Sequence, residues 1–284
     1  MSYWGDLSHH EWDGLWMSHP AVRARINSRV TGDSGLWPIQ WLASIVPDRV
    51  PFPRALSIGC GVGHLERSLA ELGLVRTVTG IDESEKAIAE ARRGAVGFEA
   101  IRYECAEARD FLSRQKGLDA IFFHASLHHF DRLTDLLGLV RAALAPNGIL
   151  YCDEYVGPSR DEWRWPHLVR WNLIYRRLPR GVRRTHLVRP PINRDDPTEA
   201  VESSGIVPAI EKHFRVLARK DYGGNLLAVI YPNLRPRASS PELFDAAIAH
   251  LLDREDALLR REPGFHSVIV AQPSPAQVLD REAS

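Results

Sequence analysis

Leu56-Ser57-Ile58-Gly59-Cys60-Gly61-Val62-Gly63 decides how this chain is read. Ala55 to Ile58 is a largely apolar run of the kind that forms a buried parallel strand, three glycines follow at alternate positions, and His64-Leu65-Glu66-Arg67-Ser68-Leu69-Ala70 opens a helical pattern. A strand that turns through glycine into a helix lets a ligand lie against bare backbone and aims the first helical amides at it. The spacing narrows the ligand. A dinucleotide fingerprint needs G-x-G-x-x-G, whereas the third glycine comes one residue early and His64 stands where the last would be. A phosphate loop of the G-x-x-x-x-G-K-[ST] kind is excluded, because no Lys follows these glycines.

Downstream, Arg76 to Asp82 reads as a second strand that ends on an acid 23 residues after Gly59, with Ser84 placed to cap a helix running to Arg93. An acid at that position can accept hydrogen bonds from ribose hydroxyls. Phe98 to Cys105 is a third strand, and Leu118 to Phe123 a fourth that empties into His124-Ala125-Ser126-Leu127-His128-His129-Phe130. A helix from Asp131 to Ala145 is stopped by Pro146-Asn147-Gly148. Ile149 to Tyr155, Phe214 to Tyr222 and Phe265 to Ala271 supply three more strands, with helical patterns at Leu226 to Leu234 and Pro241 to Arg261. Such alternation predicts an α/β fold with a parallel sheet and helices on both faces. Ligands of such sheets bind at the carboxyl ends of the strands, where Gly59, Gly61, Gly63, Asp82, Cys105, His124 and Asp153 converge.

The glycine stretch, Asp82, the Leu127-His128-His129 loop and the Leu144-Ala145-Pro146-Asn147-Gly148 turn resemble motifs of the class I S-adenosylmethionine-dependent methyltransferases. The resemblance covers residues 54 to 155 well and the last two strands loosely. It implies a mostly parallel seven-stranded Rossmann-like sheet with an antiparallel closing strand, S-adenosyl-L-methionine as cofactor, and binding residues Ser57, Gly59, Cys60, Gly61, Gly63, Asp82, Glu83, Cys105, Ala106, Glu107 and His124. Two positions depart from the family: Ser57 replaces the usual acid of the first motif, and Cys105 stands where an Asp often receives the adenine amine. Backbone near Ala106 or the Glu107 side chain is then left for that contact. Methyl transfer is an in-line displacement, so a base is needed only where the acceptor must lose a proton. His124, His128 and His129 are the candidates, His128 and His129 foremost, with Glu154 and Tyr155 behind them, against the blander role of shaping the pocket. A metal site built from the same histidines with Asp153 is a minor alternative, since no ligand spacing specifies it, and no metal is expected.

Composition agrees with an ordinary globular chain: 284 residues, 44% apolar and 25% charged. No apolar run approaches the roughly 18 to 20 residues that cross a bilayer, and the N-terminus lacks the pattern of a signal peptide, so a cytoplasmic protein without a membrane partner is expected. Cys60, Cys105 and Cys152 form no C-x-x-C pair and suggest neither disulfide nor zinc. The expected organisation is a helical lid over 1–50 carrying Trp4, Trp12, Trp16, Trp37 and Trp41, a cofactor-binding core over 51–155, a cap over 156–195, and the rest of the core over 196–284. Asp196 to Ala200 is read as the start of a helix, and the segment between the last two strands as a helical insertion. The net charge is zero, yet residues 160–194 hold ten arginines against two acids, interleaved with Trp163, Trp165 and Trp171. A solvated charged face is the plain reading, and recognition of an anionic acceptor the sharper one. The expected acceptor is a small molecule, methylated at a hydroxyl oxygen. The rivals are a cofactor-binding protein that transfers nothing and an RNA methyltransferase, the latter disfavoured by neutral net charge. A homodimer is allowed by the sequence and not required.

Overall fold

A computed structural model describes residues 15–193, 195–235 and 240–274. Trp4, Trp12, Arg194 and the C-terminal tail lie outside the described residues. Seven strands form one sheet in the order β3-β2-β1-β4-β5-β7-β6: β1 Ala55–Ile58, β2 Val78–Asp82, β3 Ile101–Cys105, β4 Leu118–His124, β5 Leu144–Tyr155, β6 Phe214–Gly223 and β7 His266–Pro273. The first five run parallel, and β7 is antiparallel to both β5 and β6. The order reverses between β1 and β4. That is where the glycine turn leaves the sheet.

Alternation along each strand divides the core in two. Leu56, Ile58, Ile121, Phe123, Leu150 and Cys152 face α5 Ala108–Ser113, α6 Leu133–Ala143 and α8 Ile206–His213. The opposite pleat, with Ala55, Ala120, Phe122 and Tyr151, faces α1 Pro20–Thr31, α2 Pro38–Ile45, α3 His64–Glu71, α4 Glu85–Gly94 and α10 Pro241–Leu259. Helices therefore cover both faces, as the strand and helix rhythm predicts.

Three boundaries differ from the sequence reading. The helix before β5 ends at Ala143, and Leu144 already pairs with Leu118. Gly148 makes the turn in β5 possible, since a Cβ there would lie 2.8 Å from the Leu118 carbonyl oxygen. Asp196 to Ala200 is a turn rather than a helix start: the Thr198 amide and hydroxyl both bond the Asp196 carboxylate, and Ala200 adopts φ +53°. Local side-chain bonding thus displaces the helix to Ile206. Finally, the segment expected as a cap, with no helix predicted in it, contains one. α7, Trp165–Arg177, buries Trp171 and Tyr175 and is tied by Trp171 Nε1 to the Asn225 carbonyl at 2.8 Å, just before α9 Leu227–Ile230.

Candidate functional site

All three loop glycines take positive φ, +67° at Gly59, +52° at Gly61 and +80° at Gly63. Two are packed from outside. A Cβ on Gly59 would meet the Ser126 Cβ at 2.6 Å, and one on Gly63 would meet the Tyr103 hydroxyl at 2.2 Å. Gly61 has nothing within 4 Å on that side. Its backbone is the one presented to open space, as a ligand cradle requires.

Asp82 braces this loop from the end of β2. One carboxylate oxygen accepts the Gly61 amide at 2.9 Å and the other accepts the Ser84 amide at 2.8 Å. Both bonds use backbone donors, which leaves lone pairs for a diol. Register pairs Asp82 with Cys105, the Ala106 amide bonds the Asp82 carbonyl, and the exposed Cys105 thiol reaches the Glu83 carbonyl at 3.5 Å. Glu107 caps α5 by accepting the Asp110 amide at 2.7 Å. Burial, then the charges of Glu107 and Asp82, holds the Glu83 carboxyl above its ordinary range. Cys60 lies half-buried inside the loop, its thiol pushed well up by burial and by Glu66.

Ser57, the departure from the usual acid, is buried in β1. Glu66 lies beside it, on the first turn of α3, with no exposure at all. Its Oε1 makes no hydrogen bond among the described residues, while Oε2 takes a long one, 3.5 Å, from Tyr103. Burial raises its pKa, and the Ser57 hydroxyl, the helix-start backbone, His124 and Arg67 oppose that. A signal for Glu66 existed in the sequence: an acid between Leu65 and Leu69, on the face of α3 that packs inward.

His124 ends β4 opposite Asp153 of β5. Its Nε2 lies 3.7 Å from Asp153 Oδ2, and the Tyr222 hydroxyl donates to Asp153 Oδ1 at 2.7 Å. Burial holds the Asp153 carboxyl up, opposed by His124 and Tyr222, and Arg23 of α1 stands in the same field. The His124 side chain is 49% exposed. His128 and His129 are only 10% and 16% exposed.

Those two histidines form a separate cluster beside the loop. Glu154 accepts the Ser126 and Leu127 amides with one oxygen, both at 2.8 Å, and His128 Nδ1 with the other at 2.8 Å. Burial works against both charges, yet the pair prevails: His128 is held above its ordinary value and Glu154 below. His129 is driven down to about 4 by burial and by the charge of His128. Asp196 and Glu199, from the turn that had been read as a helix start, complete the cluster. The structure brings together the expected binding residues around one sheet edge, adds Glu66 and Tyr222 there, and joins Asp196 and Glu199 to the separate histidine cluster. The last two had no sequence signal, since nothing local ties them to histidines some seventy residues away.

Trp16 of the N-terminal segment is buried, its ring 5.2 Å from His266. Trp37 is instead 53% exposed, with Arg23 over its ring. No helix of the described residues is long and apolar enough to cross a membrane.

Comparison with known proteins places this geometry. Residues 56–152 match the model of the methyltransferase domain family. Trans-aconitate 2-methyltransferase of Variovorax paradoxus is 31% identical over 105 residues, 36% of this chain and 39% of that protein. The chain thus spans about two fifths of the length of that curated relative. Among solved structures, one from Listeria monocytogenes described as an S-adenosylmethionine-dependent methyltransferase aligns with a TM-score of 0.51 and 16% identity, covering 90% of this chain and 100% of the other. A chain of the Haloferax volcanii complex between the Trm112 methyltransferase activator and its methyltransferase aligns at 0.50 and 12%, covering 90% and 94%. At such identities these two show the fold alone. The family match lies on the segment that forms the glycine loop, Asp82 and the His124 edge, and over residues 56–152 the chain is similar to the methyltransferase domain family.

Proposed function

We propose that the protein methylates a hydroxyl oxygen of a small-molecule acceptor, with S-adenosyl-L-methionine as donor. The observation that supports this most is the grouping at the carboxyl ends of the strands: Asp82 bonded to the Gly61 amide, buried Glu66 beside Ser57 and in the field of His124, and the His124-Asp153 pair. The donor's features fit that grouping. Asp82 has lone pairs for the ribose hydroxyls, and Glu66, with an unbonded buried oxygen, offers the methionine ammonium the negative charge that Ser57 lacks. Glu83, Cys105, Ala106 and Glu107 border the adenine end.

When bound, the cofactor supplies an electrophilic methyl group on a sulfonium, transferred in line without a covalent enzyme intermediate. His124 is the most exposed of the three histidines and is oriented by a carboxylate that Tyr222 holds in place. We assign it the acceptor's proton. His128 and His129, the other base candidates, sit deeper and engage carboxylates of their own. Arg164, Arg176, Arg177, Arg180, Arg184 and Arg189 are exposed, which favours a solvated basic face over an anion pocket. The Variovorax relative, named for trans-aconitate, supports a small acceptor over nucleic acid.

Calorimetry and turnover test the reading together. Wild-type protein should bind S-adenosyl-L-methionine, and Asp82→Ala should weaken binding at least tenfold. His124→Ala should leave binding intact and lower kcat by roughly 10² or more. Absence of cofactor binding, or an Asp82→Ala protein that binds like wild type, defeats it.

A further inference from the structure

Outside the cofactor edge, one cluster has the makings of a ligand site. His128, His129 and Glu199 offer one ligand atom each, all within 4.8 Å of one another. We infer that His128 Nε2, His129 Nε2 and a Glu199 carboxylate oxygen bind a divalent first-row transition cation. This departs from the expectation of no metal, which rested on the absence of any local ligand spacing in the sequence.

Orientation of the two rings carries the inference. His128 Nδ1 is 2.8 Å from Glu154, which is fully buried and already accepts two backbone amides, so Nδ1 keeps a proton and Nε2, which releases its own to solvent when a cation binds, points away. That Nε2 lies 3.8 Å from Glu199 Oε1. His129 repeats the arrangement. Its Nδ1 faces the Thr198 hydroxyl at 3.3 Å and Asp196 Oδ2 at 3.5 Å, while its Nε2 faces Glu199 Oε2 at 3.9 Å. Since Thr198 gives its hydroxyl proton to Asp196 Oδ1, it can only accept from His129 Nδ1. Each ring therefore rests on a carboxylate behind it and turns its Nε2 to the same carboxylate in front, the orientation that outer carboxylates impose on metal-bound histidine.

Asp196 supplies an independent sign. It is 1% exposed, Oδ1 is bonded by the Thr198 amide at 2.8 Å and hydroxyl at 2.6 Å, and Oδ2 makes no hydrogen bond among the described residues while lying against His129. A cation on the far side of that ring acidifies Nδ1–H and strengthens its pull on Oδ2. Charge points the same way. Glu154, Asp196 and Glu199 set three carboxylates around two imidazoles, a negative excess in a largely buried place.

Distances and donor types select the ion. Ligands at about 2.0–2.1 Å from a tetrahedral ion are about 3.4 Å apart, so each histidine nitrogen and the Glu199 oxygen it faces, Oε1 at 3.8 Å and Oε2 at 3.9 Å, need to close by about half an ångström, within a group that spans no more than 4.8 Å. Glu199, 33% exposed beside the strained Ala200, can move by that much. Two imidazoles and one carboxylate suit zinc and its neighbours, whereas magnesium and calcium favour oxygen alone. Three protein ligands leave a fourth position open, on the exposed side of Glu199, to water or an acceptor oxygen.

The site is tested on the full chain, stripped with a chelator and titrated with zinc against a chromophoric competitor, without S-adenosyl-L-methionine. Methyl transfer is thereby judged separately from the cation. One tight equivalent is expected, weakened at least tenfold in both Glu199→Gln and His129→Ala, with zinc raising the melting temperature of wild type and not of Glu199→Gln. No equivalent above background overturns the proposal. So does wild-type affinity in Glu199→Gln, which would assign the zinc to surface histidines. Should His129→Ala fail to melt cooperatively, the partly exposed Glu199→Gln decides alone.

Discussion

In the proposed reading Glu66 supplies the carboxylate that Ser57 does not. At the end of β1 the chain has a serine, and the carboxyl arrives instead from α3, nine residues on, with no exposure to water. Burial raises its folded pKa above the ordinary 4.5, so the folded, cofactor-free protein binds a proton that the unfolded chain releases. Stability from this group is complete below about pH 4.5 and is lost as pH rises through the folded value. Glu66→Gln, neutral at every pH, should flatten that part of the stability curve, measured by denaturant melts across the range. The same variant should bind S-adenosyl-L-methionine at least tenfold more weakly, about 1.4 kcal/mol, for want of a charge opposite the ammonium. Unchanged binding would place the ammonium elsewhere.

Among the elements, those with strict periodicity were legible and those held by long-range bonds were not. β1, α3, β2, α4 and β4 follow from apolar runs, glycines and a Ser84 cap, all of which act within a few residues. The turn at Asp196 and the helix α7 escaped the sequence reading for a different reason: an Asx-type bond in one and a tertiary anchor in the other outweigh local pattern. In the site, Asp82 and the glycines declared themselves by spacing, whereas Glu199 reaches the histidines only through the fold. α7 also shows what the tryptophans of 156–193 do. Trp165 is 73% exposed, but Trp171 is 1% exposed, 5.2 Å from the Trp163 ring and bonded to Asn225. Trp171→Ala should cost about 3–5 kcal/mol. Trp165→Ala should cost well under 1 kcal/mol, since exposed sites lose little. Equal losses in thermal or urea unfolding would mean that α7 is not anchored this way.

At the scale of the molecule, one buried carboxylate joins segments that the sequence keeps more than two hundred residues apart. Glu255 of α10 has no exposure, and one of its oxygens accepts the amides of Gly224, Leu226 and Leu227 at 3.0, 3.0 and 3.1 Å. The other faces Arg29 of α1 at 3.1 Å. Arg29 also donates to the Tyr222 carbonyl at 2.6 Å and to Asp256, and the Tyr222 hydroxyl in turn holds Asp153 against His124. α1, α10 and the His124-Asp153 pair are therefore parts of one bonded assembly. Removing the cation strands a buried negative charge, so Arg29→Ala should destabilise by about 3–5 kcal/mol. Gln at 255 can still accept the three amides but carries no charge. Arg29→Ala combined with Glu255→Gln should accordingly recover a good part of the loss, as double-mutant cycles in urea would measure. If the double variant is as unstable as the sum of the two single ones, Arg29 acts by packing α1 and not by balancing Glu255, and the link from α1 to His124 must run through apolar contact instead.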